Sequence, residues 1–220
     1  MIVITGASSG LGLALAETYH NAGEQVVNIA RGDCEYADIN LPTDLANEGD
    51  IARTVKLVNE LPGRMSTLVH CAGVMSVEPL EEMTPEALKH TFEVNVFAPM
   101  LLTSGLFSRI VADRTDIVNV TSTLALKPAP AELSAYGSSK WALRGFSQYL
   151  QGAFARTNRV LTVNAGRFES HIANKATGNV DAPPQTGMSP RALAGAIKAL
   201  VDLPPNMEVT EVTIVYKPTD

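Results

Sequence analysis

The chain has 220 residues, of which 45% are hydrophobic and 18% are charged, and its formal net charge is −6. This length and apolar content suit one α/β domain with a buried core, and no linker or repeat divides residues 1–220, so we expect a single domain. The acidic balance, without any cluster of Lys and Arg, argues against nucleic acid or a membrane as a partner.

The first predicted strand, residues 1–4, runs directly into a glycine-rich segment, T-G-A-S-S-G-L-G, at residues 5–12. Apolar residues then recur every three or four positions as far as Ala22, which predicts a helix closed by Gly23. A strand, a glycine turn and a helix in this order gather free backbone N–H groups and the positive end of a helix dipole, which suits a dinucleotide pyrophosphate. A glycine turn without a ligand is the alternative for this motif alone. The residues predicted to contact the cofactor here are Gly6, Ser8, Ser9, Gly10, Leu11 and Gly12.

Residues 25–29 predict a second strand, and Arg31 follows its end. An acidic residue at this place would bind the 2′-hydroxyl of NAD, whereas a guanidinium suits the 2′-phosphate of NADP. We therefore predict NADP, with NAD possible; the alternative is that Arg31 is an ordinary surface residue.

A third strand within residues 36–43 leads to Asp44 and Leu45, which we expect beside the adenine. The Asp44 carboxylate could accept a hydrogen bond from the adenine amino group, or it could only cap the turn before the next helix. That helix carries Ile51, Val55 and Val58 on one face.

The fourth strand, residues 67–70, ends in Cys71-Ala72-Gly73. Small residues at the end of a strand let a ribose approach closely, so Ala72 and Gly73 are predicted to contact the cofactor. His70 is interpreted as a packing residue.

A long central helix is predicted to begin at Thr84 and Pro85 and to contain Asn95 and Pro99, where the proline should kink it. The strand at 116–120 ends in three hydroxyl residues, 121–123. Ser122 therefore lies at the edge where open α/β sheets bind their ligands.

Tyr136 and Lys140 are four residues apart and share one face of a predicted amphipathic helix that continues to Phe154. A strand at 160–164, a helix beginning at Ser189 and Pro190, and a last strand at 211–216 complete the chain. The alternation of strands and helices predicts a Rossmann-type, doubly wound α/β fold, whose largely parallel seven-stranded sheet carries helices on both faces.

The two cysteines, Cys34 and Cys71, show no pattern typical of a metal site. We expect reduced thiols, no bound metal and a cytoplasmic location. We also expect no signal peptide and no membrane span, because the first strand begins at residue 1 and no apolar run is long enough to cross a bilayer.

With these motifs in order, the whole chain resembles the classical short-chain dehydrogenases/reductases. The resemblance implies that Tyr136 is the general acid/base, that Ser122 orients the substrate oxygen and that Lys140 binds the nicotinamide ribose. It also implies that Asn95 supports a water-linked proton relay and that Ser170 bonds the nicotinamide carboxamide. A cationic Lys140 beside the nicotinamide should lower the pKa of the Tyr136 phenol.

The activity implied is NADP(H)-dependent interconversion of a carbonyl and a secondary alcohol on a small molecule, by a homodimer or homotetramer. The chain departs from the family at Cys71, where an asparagine usually steadies the sheet, and in a longer spacing before Tyr136 that leaves Thr123 as a rival to Ser122. The span before the last helix, 171–188, is short and suggests an open pocket. Alternatives are a non-catalytic NADP-binding regulatory or redox-sensing protein and an epimerase or dehydratase.

Overall fold

The computed structural model describes residues 1–127, 130–179 and 181–218. One parallel sheet of seven strands runs in the order β3-β2-β1-β4-β5-β6-β7, which confirms the predicted fold class. The strand order reverses between β1 and β4, and this is where open α/β sheets leave a crevice beyond their carboxyl ends. The strands are β1 (Ile2–Thr5), β2 (Val26–Ala30), β3 (Ile39–Pro42), β4 (Thr67–His70), β5 (Asp116–Val120), β6 (Val160–Ala165) and β7 (Glu211–Ile214).

Helices cover both faces of the sheet and bury a separate apolar layer on each. The helices are α1 (Gly10–Asn21), α2 (Glu48–Glu60), α3 (Pro85–Phe92), α4 (Ala98–Gly105), α5 (Phe107–Asp113), α6 (Ser134–Phe154), α7 (Ile172–Ala176) and α8 (Pro190–Val201). On one face α1 packs against α8, with Leu15 and Ala194 in the same buried cluster. On the other face α2, α4 and α6 bury a cluster that includes Leu102, Ile117 and Phe154. The sheet is thus covered on both sides, as its β-branched strands require.

Pro99 changes the central helix differently from the predicted kink. A π-helical turn, Glu93–Phe97, joins α3 to α4, and the Ala98 N–H bonds the carbonyl oxygen of Glu93. Since Pro99 has no N–H to donate, the wider turn upstream absorbs the missing bond. The turn places Asn95 on the inner side of the helix, where its side chain is fully buried.

Two short helices lie where no helix was predicted. The seven residues of α5 and the five of α7 are too few to show a helical period in the sequence. The strands β4 and β5 have the predicted bounds, whereas β1 and β2 are displaced by one residue and the ends of β6 and β7 by one and two residues.

In the described ranges no single helix is long and apolar enough to cross a membrane. One pair of helices, Pro85–Gly105 and Phe107–Asp113, reaches the required length and apolar content when both members are taken together, but the pair is bent by 63°. The same ranges contain no group of three His, Cys, Asp or Glu side chains that could hold a metal ion. Both cysteines are free thiols.

His70 packs inside the protein, as interpreted from the sequence. Its Nε2 lies 3.0 Å from the Thr103 hydroxyl of α4, while its Nδ1 has no partner among the described residues. Burial lowers the pKa of His70 to about 3. The folded protein therefore holds a neutral imidazole that the unfolded chain protonates below about pH 6.5.

We predict that this imidazole makes folding less stable in acid. Because the pKa of His70 is depressed in the folded protein, its contribution to the free energy of unfolding is complete above the pKa of the unfolded chain. Below that value the free energy of unfolding declines, by about 2 kcal/mol at pH 5. His70→Gln keeps an amide N–H for Thr103 but cannot titrate. Urea unfolding at pH 7.5 and pH 5.0 should show that the variant loses about 2 kcal/mol less than the wild type between the two values. An equal loss in both proteins would contradict the assignment.

Candidate active site

The carboxyl ends of the strands surround a cavity of about 740 Å³ at the reversal of strand order. Every residue that the sequence predicted to contact a cofactor lines it, although each of these contacts remains a prediction. These residues are Gly6, Ser8, Ser9, Gly10, Leu11, Gly12, Arg31, Asp44, Leu45, Ala72, Gly73, Tyr136, Lys140 and Ser170.

The glycine loop is packed so closely that side chains are excluded from two of its positions. A Cβ on Gly12 would lie 2.2 Å from the Gly6 carbonyl oxygen, and a Cβ on Gly6 would lie 2.8 Å from the Ala72 Cα. Gly6 also has φ +75°, which disfavours any other residue. The N-cap of α1, Ser9, makes no capping bond through its side chain. The loop therefore presents backbone N–H groups and the helix dipole to the cavity, and it fits a dinucleotide pyrophosphate.

The Thr5 hydroxyl joins the ends of β1 and β4. It accepts hydrogen bonds from the backbone N–H groups of Cys71, at 3.0 Å, and Ala72, at 3.1 Å, and lies 3.4 Å from the Val69 carbonyl oxygen, to which it donates. These bonds cross between the two strands at the point where the family usually has an asparagine. Although Cys71 stands where the family usually has an asparagine, the ends of β1 and β4 are therefore still joined by side-chain hydrogen bonds.

At the far end of the cavity, Arg31 follows β2 and is exposed. Asp44 has the capping contact that the sequence left as its alternative: its Oδ1 accepts from the Ala46 N–H at 3.0 Å. The N-cap of α2 is Asn47, whose side chain accepts from the Asp50 N–H. Asp44 also lines the cavity, so it stabilises a turn at the cavity's edge, and its contact with an adenine stays a prediction.

Tyr136 and Lys140 lie on the buried face of α6 at the other end of the cavity. The Lys140 Nζ donates to the Val120 carbonyl oxygen at 3.1 Å and lies 5.7 Å from the centroid of the Tyr136 ring. A Cβ on Gly73 would lie 3.3 Å from this Nζ, so a larger residue at this position would crowd the Lys140 ammonium group. Both side chains are less than one-tenth exposed.

Burial shifts the two pKa values in opposite directions. It raises the pKa of Tyr136 to about 12, although the Ser122 side chain partly offsets this by favouring the phenolate. It lowers the pKa of Lys140 to about 8. The sequence prediction of a lowered pKa for Tyr136 assumed a bound nicotinamide cation; among the chain's own groups, loss of solvation outweighs the hydrogen bond from Ser122 and the pKa rises. The phenol is therefore protonated at neutral pH.

Ser122 and Asn95 are buried beside the cavity rather than in its lining. The Ser122 Oγ accepts a hydrogen bond from the Leu124 N–H at 3.2 Å. The Ser122 side chain also bonds the Tyr136 phenol and favours a lower pKa there, which supports Ser122 over Thr123 as the serine of the site. The Asn95 amide is paired with the backbone of Val74: Oδ1 accepts from its N–H and Nδ2 donates to its carbonyl, each at 2.9 Å. Asn95 thus holds the segment after Gly73 in place.

On one wall of the cavity the sequence predicted only Ser170 and the span 171–188, without the other side chains that form the lining. On that side the cavity is lined by residues that follow β6 and by two residues near the π turn. These are Phe168, Glu169, His171, Ile172, Lys175 and Pro184, together with His90 and Val94. None belongs to a motif; those after β6 had no signal except their position between the last strand motif and the last helix, and His90 and Val94 had none beyond their place on the central helix.

The fold and the cavity define a dinucleotide-binding α/β protein. The family model for short chain dehydrogenases matches residues 1–180, and the chain belongs to that family of oxidoreductases. An uncharacterized oxidoreductase of Staphylococcus saprophyticus is 24% identical over an alignment of 227 positions, gaps included, which covers 96% of this chain and 95% of the relative.

Solved structures of short-chain enzymes have the same fold. An alcohol dehydrogenase from the archaeon Thermococcus sibiricus, complexed with 5-hydroxy-NADP, superposes with a TM-score of 0.87 at 22% identity and covers 100% of this chain and 98% of its own. A metagenomic short-chain oxidoreductase in complex with NADP has a TM-score of 0.82 at 26% identity, with 99% and 97% covered. A 4-hydroxyisoleucine dehydrogenase complexed with NADH and succinate has a TM-score of 0.85 at 21% identity, with 98% of both chains covered.

The closest contact in the glycine loop gives a direct test. Gly12→Ala places a methyl group on the Gly6 carbonyl, so we expect the loop to shift and the thermal stabilisation by 1 mM NADPH to disappear. The matched control is Gly145→Ala on α6, where a Cβ meets nothing within 4 Å. Gly145→Ala should keep the full shift of the melting temperature with NADPH. A Gly12→Ala protein that is stabilised as strongly as the control would contradict the packing of the loop.

Proposed function

We propose that this protein is an NADP(H)-dependent oxidoreductase that interconverts a carbonyl and a secondary alcohol, with Tyr136 as its general acid/base. The observation that carries the proposal is that Tyr136 and Lys140 line the same cavity as the glycine loop. A dinucleotide with its pyrophosphate at the N-terminus of α1 has room to extend towards these two side chains. The NADP or NADH in the related structures supports the same cofactor class here.

The chain's own groups are arranged for proton transfer at the substrate oxygen. Because the Tyr136 phenol is protonated at neutral pH, it can donate its proton to a carbonyl oxygen during reduction. The Ser122 hydroxyl lies beside that phenol, just behind the cavity lining, and in this proposal it orients the substrate oxygen and stabilises charge on it once substrate is bound. The cofactor, when bound, supplies the hydride.

In the direction of alcohol oxidation Tyr136 must instead accept a proton, and its raised pKa opposes this. Lys140 is the cation of the chain that lies nearest to the ring, and a bound nicotinamide cation would add to its effect. The lowered pKa of Lys140 lets the ammonium exchange a proton near neutral pH. In this proposal Asn95 acts by holding the backbone of Val74 beside the site rather than by touching the substrate.

Exposed apolar side chains support assembly into a homodimer or homotetramer. On the outer side of the central helix and of α6, four large side chains remain at least 40% exposed: Phe97, Leu101, Trp141 and Tyr149. A second copy of the chain would remove these groups from water.

The assignment of Tyr136 is tested with a panel of four carbonyl compounds: ethyl acetoacetate, cyclohexanone, benzaldehyde and phenanthrenequinone. We expect Tyr136→Phe to reduce kcat for the fastest of these with NADPH by about 10²- to 10⁴-fold, since proton transfer contributes that much. The control is Tyr149→Phe, which removes a hydroxyl from the same helix at a position that is 83% exposed. Circular dichroism checks that both variants fold. Similar rates in the two variants would contradict the assignment.

The preference for NADP is tested at Arg31. We expect Arg31→Asp to weaken NADPH binding by about 10- to 100-fold, because the charge-assisted bonds to the 2′-phosphate are lost and repulsion replaces them. NADH binding should change little. The control is Lys56→Asp on α2, which makes the same charge change at an exposed residue that does not line the cavity. Fluorescence titrations of the wild type and of both variants, each with NADPH and with NADH, measure the dissociation constants. An equal effect of both substitutions on NADPH binding would refute a specific contact at Arg31.

A further inference from the structure

The wall of the cavity that follows β6 is built from two chain segments that meet at their base. We call residues 167–179 the inner arm and residues 181–190 the outer arm. The Glu169 N–H donates to the Met188 carbonyl at 3.0 Å, and the Met188 N–H donates to the Arg167 carbonyl at 3.1 Å. Gly187 lies against Phe168, where a Cβ would come within 2.6 Å of the Cα. The base of the two arms is therefore a fixed piece of backbone pairing.

Further from the base, one side chain bridges the arms. Asn174 is 8% exposed, although it lies on α7 between largely solvated neighbours. Its Nδ2 donates to the Ala182 carbonyl at 2.7 Å and to the Pro183 carbonyl at 3.0 Å. An amide nitrogen has two hydrogens, and here each has its own acceptor on the outer arm.

The residues on both sides of this bridge face the cavity. His171, Ile172 and Lys175 of the inner arm line it, and so does Pro184, which directly follows the two acceptor carbonyls. Buried polar bonds fix a backbone position only when they are complete, because an unpaired buried group is costly. The spacing between α7 and Pro184 therefore depends on the two bonds of the Asn174 amide.

We propose that Asn174 is a positioning residue that sets the outer wall of the substrate end of the cavity by latching the outer arm to α7. The inference rests on the proposed function for its kinetic consequence, but not for the existence of the latch. Asn174 does not touch the reacting atoms; it acts through the residues that it holds against the cavity.

Asn174→Asp tests the latch because it keeps the size of the side chain and replaces both donor hydrogens by acceptor lone pairs that repel the two carbonyls. We expect trypsin to cut after Lys175, identified by mass spectrometry, at least 5-fold faster than in the wild type without any ligand. For the fastest ketone or aldehyde of the four-compound panel, we expect KM with NADPH to rise about 10-fold while kcat stays within about 3-fold, since the hydrogen bonds lost act on positioning and not on proton transfer. The global melting temperature should stay close to that of the wild type.

The matched control is Thr177→Val. The Thr177 hydroxyl bonds the carbonyls of Ala173 and Asn174 within the inner arm and does not reach the outer arm. It should therefore leave both the cleavage rate and KM close to wild type.

Cleavage of Asn174→Asp no faster than of Thr177→Val would overturn the latch, whatever the activity of the protein. Faster cleavage with an unchanged KM would overturn its effect on substrate. Absence of turnover by the wild type on the whole panel would instead count against the proposed function, and the cleavage rates would still decide whether the latch exists.

Discussion

The structure depends on backbone contacts that leave no space for a side chain where β1, α1 and β4 meet. Gly12 lies against the Gly6 carbonyl, and Gly6 lies against Ala72, so strand, turn and helix converge on one point. The Thr5 hydroxyl secures this convergence by bonding two N–H groups at the end of β4. Because the strand order reverses here, the same contacts that pack the sheet also open the crevice beside it.

The proposed chemistry follows from what the fold buries on the β5 side of that crevice, where Lys140 bonds the Val120 carbonyl. Desolvation holds the Tyr136 phenol in its protonated form and destabilises the charge on Lys140. A proton donor and a cation of reduced pKa thus lie side by side in a site whose shape suits a dinucleotide. In the proposed reaction the phenol can donate a proton unaided, whereas to accept one it needs positive charge beside it, and a bound nicotinamide cation is suited to provide that charge.

The strand–turn–helix unit and the Tyr136–Lys140 pair could be predicted from the sequence because their geometry is local. Four residues of helix place the pair on one face, and short glycine spacings define the loop. Three other features could not be predicted, since each depends on contacts between distant segments: the pairing of Asn95 with Val74, the bridge from Asn174 to the outer arm, and the raised pKa of Tyr136. The motif interpretation considered Lys140 together with a bound nicotinamide cation, whereas burial dominates the pKa of Tyr136 in the chain alone.

The most direct test of the account is to follow the hydride itself. The protein is incubated with NADPH carrying deuterium at C4 of the nicotinamide, separately for each face, together with a broad panel of ketones and aldehydes, and the products are analysed by mass spectrometry. The account predicts an alcohol with deuterium on its carbinol carbon from one face only, because a fixed site presents one face of the ring to the substrate. NADPH that binds tightly and yet transfers no deuterium to any compound would contradict it and would favour a binding protein without turnover.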